Sequence, residues 1–454
     1  MDANKLMDQF LNKCPFAVLT QAAIRGVIAD EFDEIFEQHR SQQYEDTLTF
    51  SAMATAVADV VLRFAENPNQ AYKTHKEELL VSLTSFYNKI NATELQTSEA
   101  IVARSAQRAA ELQDQLDYVP WHVLEGYNVY ALDGNHLQES DKRLKPLRML
   151  HDAPLAGTIV ARFDLQRYLF DRAYLLEDAH AQESTTLPRV LADLQPRDVI
   201  LADRLFCILP FLRATDEKGA SFVIRQHGRF KGVLLGKRRK IGRTETGRVY
   251  EQAIQTDASA DALQMRRITV ELDQPTRDGD DVIHVLTNLP ADVDALKIAD
   301  LYRHRWEEET GFYYLTTTLT CELKSISQPK AALFLFCMAM MAFNIRQVVF
   351  AALYAEHDQE SVDAVSHHAI SKEIQRYTDG MLVVLDDDFW QHLIGPSPAS
   401  LARRLRQFSR RIDLRDYRKS VRGPKKKVVK PKPKRPKTHV STAKVLKEAA
   451  GKTP

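Results

Sequence analysis

The chain has 454 residues, 44% of them hydrophobic and 27% charged, with 62 Lys and Arg against 61 Asp and Glu. This is the composition of an ordinary soluble protein with room for two or more domains. Its four cysteines, Cys14, Cys207, Cys321 and Cys337, are far apart and form no CxxC pair, which argues against a disulfide framework or a zinc site and fits a reducing compartment. The longest apolar stretch, 331–342, falls short of the roughly 20 residues that cross a bilayer and reads as a buried core helix. The first residues, MDANKLMDQF, lack the basic and apolar regions of a signal peptide, so neither a membrane nor export is expected.

In chain order, residues 1–118 read as an all-helical domain. Apolar residues recur at helical spacing in FAVLTQAAIRGVIADEFDEIFEQH and TFSAMATAVADVVLRFAENP, then in HKEELLVSLTSFYNKI and SEAIVARSAQRAAELQDQL. Recognition of a DNA end and a scaffold or dimerisation role account for that periodicity equally well. From residue 119 the texture changes. Short strands are predicted at YNVYALD, GTIVARFD and RYLFDRAYLL, followed by a helix over 187–194 and a strand at DVILAD. Three strands, a helix and a fourth strand is the order of a ribonuclease-H-like core, in which the first and fourth strands are neighbours. Residues 119–225 are its expected first part and 285–355 its second. Between them, 226–284 is expected to be a β-rich insertion carrying GVLLGK, GRVYEQAIQ, QMRRITVEL and DVIHVLTNLP. A helical region over 356–420, suited to dimerisation or DNA contact, and a basic disordered tail over 421–454 complete an α/β chain.

Charge is segregated: 403–437 holds about 17 Arg and Lys against Asp413 and Asp416. RRLRQFSRRIDLRDYRK suits a basic helix, whereas GPKKKVVKPKPKRPK has too many prolines for one. Such a segment attracts a polyanion by counterion release. A solubilising tail without a specific partner fits the same composition.

Three acids carry the chemistry. Asp133 closes the apolar run 127–132, Asp203 closes 199–202, and Glu309 lies in YRHRWEEETGFYYL, read as one helix with Tyr302, Arg305, Glu309 and Phe312 on a single face. Two strand ends and a helix can bring three carboxylates together. Carboxylate oxygens suit Mg2+, a hard cation, and a pair of such ions activates the attacking oxygen and stabilises the leaving one in phosphoryl transfer. Taken singly, each residue has a plainer explanation. Asp133 before Gly is a common turn residue, Asp203 a helix cap, Glu307 to Glu309 a solvated face, and His136 a local hydrogen-bonding group. Their joint occurrence in the right topological order favours the nuclease reading.

The segments ALDGNH, ILADRLF, VLTNLP, YRHRWEEETGFYYL and CMAMMAFNIRQ resemble bacterial DDE insertion-sequence transposases, in particular the IS-four type with its YREK signature, over roughly residues 120–350. The resemblance implies a cut-and-paste transposase with a ribonuclease-H-like core. It implies a homodimer on paired terminal inverted repeats and target DNA, working in the bacterial cytoplasm and nucleoid-associated when bound. Asp133, Asp203 and Glu309 would be both catalytic residues and ligands of two Mg2+ or Mn2+ ions. Tyr302 and Arg305 would contact DNA phosphates, together with Lys237, Arg238, Arg239, Lys240 and Arg243 of the insertion, where Arg248 lies close by. An exposed hairpin without DNA explains that basic run too. One letter departs: Thr316 stands where the signature has Lys, with Lys324 the next cation along the chain. The aromatic residue that stacks on a flipped base in some relatives has only Phe222, Phe230 and Tyr250 as counterparts near the insertion, which lacks Trp. The missing Lys keeps open a catalytically impaired DNA-binding derivative. A hydrolase of small phosphoesters is disfavoured by the basic tail.

Overall fold

The structure is a computed structural model that describes residues 3–28, 31–43, 47–118, 124–259, 261–276, 279–395, 397–420 and 438–451. Eleven strands organise it: β1 (Asn128–His136), β2 (Ala153–Leu155), β3 (Thr158–Asp164), β4 (Leu169–Leu176), β5 (Asp198–Ala202), β6 (Ser221–Arg225), β7 (Val233–Thr244), β8 (Gly247–Gln255), β9 (Gln264–Leu272), β10 (Val282–Thr287) and β11 (His439–Ser441). Nine of them form one mixed sheet in the order β4-β3-β1-β5-β6-β10-β9-β8-β7. β1 runs antiparallel to β3 and parallel to β5, and β5 is parallel to β6. The three strands predicted before the helix and the one after it thus stand with the first beside the fourth.

Why these segments form central strands is visible in their burial. Every residue of β5 is buried, as expected of a parallel strand covered on both faces, and only an unbroken run such as DVILA can meet that demand. Alternate residues of β1 serve two cores. Val129 and Ala131 join a large apolar cluster that extends from Met7 to Leu414, while Leu132 joins a smaller one with Val160, Ile200, Ala202 and Phe222. The smaller cluster is closed by helices Leu187–Asp193 and Leu209–Glu217.

The larger cluster centres on helix Pro329–Tyr354, which is long and apolar enough to cross a bilayer, but 94% of its apolar window is buried inside the protein. Asn344 on this helix is fully buried and bonds both the N–H and the carbonyl of Phe170 at 2.9 Å. It thereby satisfies backbone groups on edge strand β4, which has no further strand beyond it.

The helices of 1–118 share this large core. Helices Pro15–Ile28, Phe50–Val61 and Leu95–Gln115 contribute Phe16, Phe50 and Ile101 to it, so they cover one face of the sheet. The expected boundary at 118/119 falls beside 119–123, outside the described residues. Strands β7 to β10, formed almost wholly by the stretch expected to be β-rich, continue the central sheet as an antiparallel ladder beyond β6.

Two expectations for the C-terminal part are corrected. The basic helix ends at Ser409, and three arginines in and just after it are engaged within the protein: Arg406 and Arg410 pair with Glu356, and Arg411 with Asp8. Leu401, Leu405 and Phe408 pack this helix into the large core, so burial of an apolar face sets its position. Within the supposedly disordered tail, 438–451 forms β11, paired in parallel with β2, and helix Thr442–Gly451. The Lys- and Pro-rich stretch 421–437 lies outside the described residues.

Candidate acidic centre at the ends of two parallel strands

Parallel register creates the centre. Leu132 of β1 is opposite Ala202 of β5, so the next residues, Asp133 and Asp203, are neighbours where this parallel ladder stops: β5 ends there, whereas β1 continues to His136 beside β3. This is the usual location of a site in an α/β sheet. The Asp133 carboxylate accepts the Gly134 N–H at 2.9 Å; Asp203 caps the short turn Arg204–Phe206 by accepting the Leu205 N–H at 2.7 Å. The cap expected of Asp203 is therefore present, and its second oxygen has no hydrogen-bond partner among the described residues.

The segment YRHRWEEETGFYYL is not one helix. Helix Ala295–Arg303 ends with Tyr302 in its last turn, His304 and Arg305 make a break, and a second helix runs from Trp306 to Thr317. The break turns Arg305 inward. Its guanidinium reaches Asp133 Oδ2 with Nη1 at 3.1 Å and Glu309 Oε1 with Nη2 at 3.3 Å, a bridge between residues far apart in the sequence. Tyr302 lies beside Arg305 and Asp203, and burial pushes its hydroxyl pKa up. Asp133, Asp203, Tyr302, Arg305 and Glu309 are thus brought together. Glu309 is the most open of them, its side chain 52% exposed.

The second helix shows which face is buried. Glu308, Gly311, Phe312 and Leu315 face inward at helical spacing, so the inner face includes Glu308 and not Glu309. Gly311 permits this approach, because a Cβ there would stand 2.9 Å from the Phe170 ring. Three consecutive acids in the first turn of the helix also suit the positive end of its dipole.

Electrostatics divide the acids. Burial raises the Asp133 pKa, while Arg305 opposes the rise and Asp203 and Glu309 add to it. Glu308 is fully buried and neither carboxylate oxygen has a hydrogen-bond partner of good geometry; desolvation, reinforced by Asp133, lifts its pKa far above the ordinary carboxylate range. Another acid, Glu183, is pushed up to about 7 by burial and by the charges of Asp133 and Asp203. Sequence reasoning missed both. The spacing of 308, 311, 312 and 315 was a readable signal for Glu308, whereas Glu183 in AQESTT had none.

The donor set suits a hard divalent cation: carboxylate oxygens only, with more negative charge than Arg305 balances. Asp133, Asp203 and Glu309 would hold it. Arg305 now occupies the cationic position between Asp133 and Glu309, and no group of three His, Cys, Asp or Glu among the described residues is gathered closely enough to enclose an ion. Loading such a site therefore requires Arg305 to give way.

The remaining candidates lie elsewhere. Lys237, Arg238, Arg239, Lys240 and Arg243 are on β7, the far edge strand, five strand spacings or about 24 Å along the sheet from β5. Arg238 pairs with Glu271, Arg239 with Glu251 and Arg243 with Asp273, while Lys237, Lys240 and Arg248 are exposed with no ion pair among the described residues. Thr316 is exposed, its hydroxyl donating to the Tyr313 carbonyl at 3.0 Å. Of the aromatics near β7 to β10, Phe222 is fully buried and Tyr250 lies under the Arg238 guanidinium, 4.0 Å from it. His136 bonds the Thr158 hydroxyl at 2.8 Å, the local role expected of it.

Comparison with known proteins adds a family match. Residues 162–345 match the model of the transposase DDE domain, a span that includes Asp203, Arg305 and Glu309 and begins after Asp133. No curated protein matches the chain. Among solved structures, it is similar to the one titled "Cryo-EM structure of piggyBac transposase synaptic complex with hairpin DNA", at 10% identity and a TM-score of 0.37, over 84% of this chain and 73% of that one.

Proposed function

We propose that this chain is a DNA transposase of the DDE type that cuts phosphodiester bonds at the ends of an insertion sequence and joins them to target DNA. One observation carries the reading: Asp133 and Asp203 directly follow the last residue pair of the parallel β1–β5 ladder, and Arg305 ties Asp133 to Glu309. The transposase DDE match over 162–345 supports the reaction class. Mg2+ or Mn2+, as a pair, is the cofactor proposed; when bound, it supplies activation of the attacking oxygen and stabilisation of the leaving oxygen.

The side chains have separable roles in this reading. Asp133 and Asp203 hold the cation position from strands whose backbone is fixed by the sheet, which keeps their spacing rigid. Glu309, more exposed and on a helix, completes the donor set from the open side. With a cation held by the acids, Arg305 would be free to pair with a phosphate oxygen, for which its fork of donors is suited. Tyr302 lies beside it to orient the same phosphate. Lys237 and Lys240 on β7 contact the DNA backbone at a distance from the reacting bond. Double-stranded DNA carrying terminal inverted repeats, target DNA and a second copy of the chain in the synaptic complex are the partners proposed. The setting is the bacterial cytoplasm.

The test uses the purified full chain with DNA bearing the inverted repeats that flank its gene. Asp133→Asn, Asp203→Asn and Glu309→Gln should each abolish metal-dependent strand cleavage, by on the order of 1,000-fold or more, and leave end binding measurable. Cleavage persisting in any of the three would remove that residue from the centre. Thr316, exposed and uncharged where the resembling signature has Lys, favours one second reading: a DNA-binding derivative with impaired chemistry. Cleavage by the unaltered chain excludes it; cleavage only after Thr316→Lys supports it.

A further inference from the structure

Glu183 begins the short turn Glu183–Thr186 that follows β4, on an element separate from those carrying Asp133, Asp203 and Glu309. Its carboxylate presses against β1 beside Asp133. A Cβ added to Gly134 would stand 2.0 Å from Glu183 Oε1 and 2.7 Å from Oε2, so a side chain there would push the carboxylate aside. Gly134 is not in the left-handed region of backbone space, and a glycine inside a strand weakens it. Accommodation of Glu183 is the physical reason for it.

The Glu183 carboxylate has no hydrogen bond or ion pair among the described residues, although it faces Asp133 and Asp203 closely enough to feel both charges. Structural acids in such surroundings normally find a partner. A second observation comes from another element. Glu308 brings a fully buried carboxyl, with no hydrogen-bond partner of good geometry among the described residues, to the same stretch of β1, against Asp133. Asp133, Asp203, Glu183, Glu308 and Glu309 set five carboxyl groups around the one guanidinium of Arg305. Packing alone gives no reason to add Glu183 to them.

We propose that Glu183 is a fourth acidic ligand of the divalent-cation site formed by Asp133 and Asp203. The inference rests on the reading of that site given above and adds a residue to it. Glu183 approaches from the Gly134 side of β1, and Glu309 from the helix on the other flank. Asp133 and Asp203 on adjacent strands, together with acids from two further elements, would then make up the donor set.

Mn2+ binding to the full chain, measured by the paramagnetic resonance signal of free Mn2+, tests this without reference to activity. Glu183→Gln keeps the size of the side chain and should weaken Mn2+ binding by about ten-fold or more, as removal of a ligating group does. Gly134→Ala should weaken it similarly by displacing the Glu183 carboxylate while every acid remains. Unchanged Mn2+ affinity in Glu183→Gln, with affinity abolished in Asp133→Asn, would overturn the assignment of Glu183 and leave the centre intact. Absence of Mn2+ binding by the unaltered chain would overturn both. The metal-free unfolding temperature of Glu183→Gln should be unchanged or raised; a lowered one accompanying weakened binding would make Glu183 structural and likewise overturn the proposal.

Discussion

Replacing Arg305 by Met tests the charge balance of the centre without inserting a new polar group. The Arg305 side chain is 10% exposed and that of Asp133 is 21% exposed, so their ion pair at 3.1 Å is the main electrostatic interaction removed. In an effective dielectric of about 20 the gross attraction is about 5 kcal/mol. Breaking a buried pair from one side typically costs about 3–5 kcal/mol. The Glu309 pair, on a half-exposed side chain, adds at most about 1 kcal/mol. A ceiling comes from protonation. Asp133 can escape its uncompensated charge by taking up a proton, which from an ordinary value of 3.8 costs about 4 kcal/mol at pH 7 and under 2 at pH 5. The sign follows. Removing Arg305 raises the folded-state pKa of Asp133 further above its unfolded value, so the penalty is absent below about pH 4 and grows as pH rises through the folded value. Thermal unfolding of metal-free protein should show Arg305→Met well below the unaltered chain at pH 7 and close to it at pH 5. Mg2+ should raise the variant more than the unaltered chain, since no guanidinium has to be displaced. Equal midpoints at pH 7, or the same deficit at both pH values, would refute the claim that Arg305 stands in for a cation.

Three further outcomes are expected. Lys237→Ala with Lys240→Ala should weaken DNA binding uniformly across sequences and reduce the slope of log affinity against log salt by about 0.9 for each phosphate left without its lysine. Alanine at Arg238 and Arg239, which are engaged by Glu271 and Glu251, should change that slope less; competition binding at several salt concentrations separates the two pairs. Asn344→Leu leaves the N–H and carbonyl of Phe170 unpaired in the core and should cost about 2–4 kcal/mol, read from denaturant unfolding. His75, bonded to Asp59 at 2.7 Å and Glu78 at 3.0 Å, has its pKa raised to about 9, chiefly by the Asp59 hydrogen bond. Its contribution is complete below the unfolded value near 6.5 and disappears as pH rises through 9. The destabilisation caused by His75→Gln should therefore be larger at about pH 6 than at about pH 10 in thermal unfolding.

Much of the fold was readable because the central strands obey simple rules. DVILA is apolar throughout its interior since β5 is covered on both faces, and the acid that follows it marks the strand terminus. The same logic predicts that Asp133 closes its strand, but β1 runs on to His136; the end of the parallel ladder with β5 is what makes the two acids neighbours. What could not be read depended on distant partners. HVSTAKVLKEAAG looks like a continuation of a basic tail, yet β11 forms because β2, far earlier in the chain, offers it an edge. RRLRQFSRR has the composition of a polyanion-binding helix, but Glu356 and Asp8 neutralise three of its arginines. The strands β7 to β10 were legible one by one; that they extend the main sheet follows from β10 pairing with β6, a pairing no local pattern encodes.

Where local rules fail at the centre, they fail together. A helical reading that runs unbroken through YRHRWEEETGFYYL puts Glu309 on the same face as Arg305 and Phe312, and the break at His304 and Arg305 shifts the phase so that Glu308 takes the inner position. Glu308 then breaks the rule that buried acids are paired. Gly134 breaks the rule against glycine within strands, and Glu183 breaks the rule that adjacent acids find cations. None of these exceptions stabilises the metal-free fold, and they occur within reach of Asp133 on three separate elements. Sequences are locally consistent except where a function overrides consistency. The concentration of such exceptions around Asp133 and Asp203 therefore points to a site without relying on any motif.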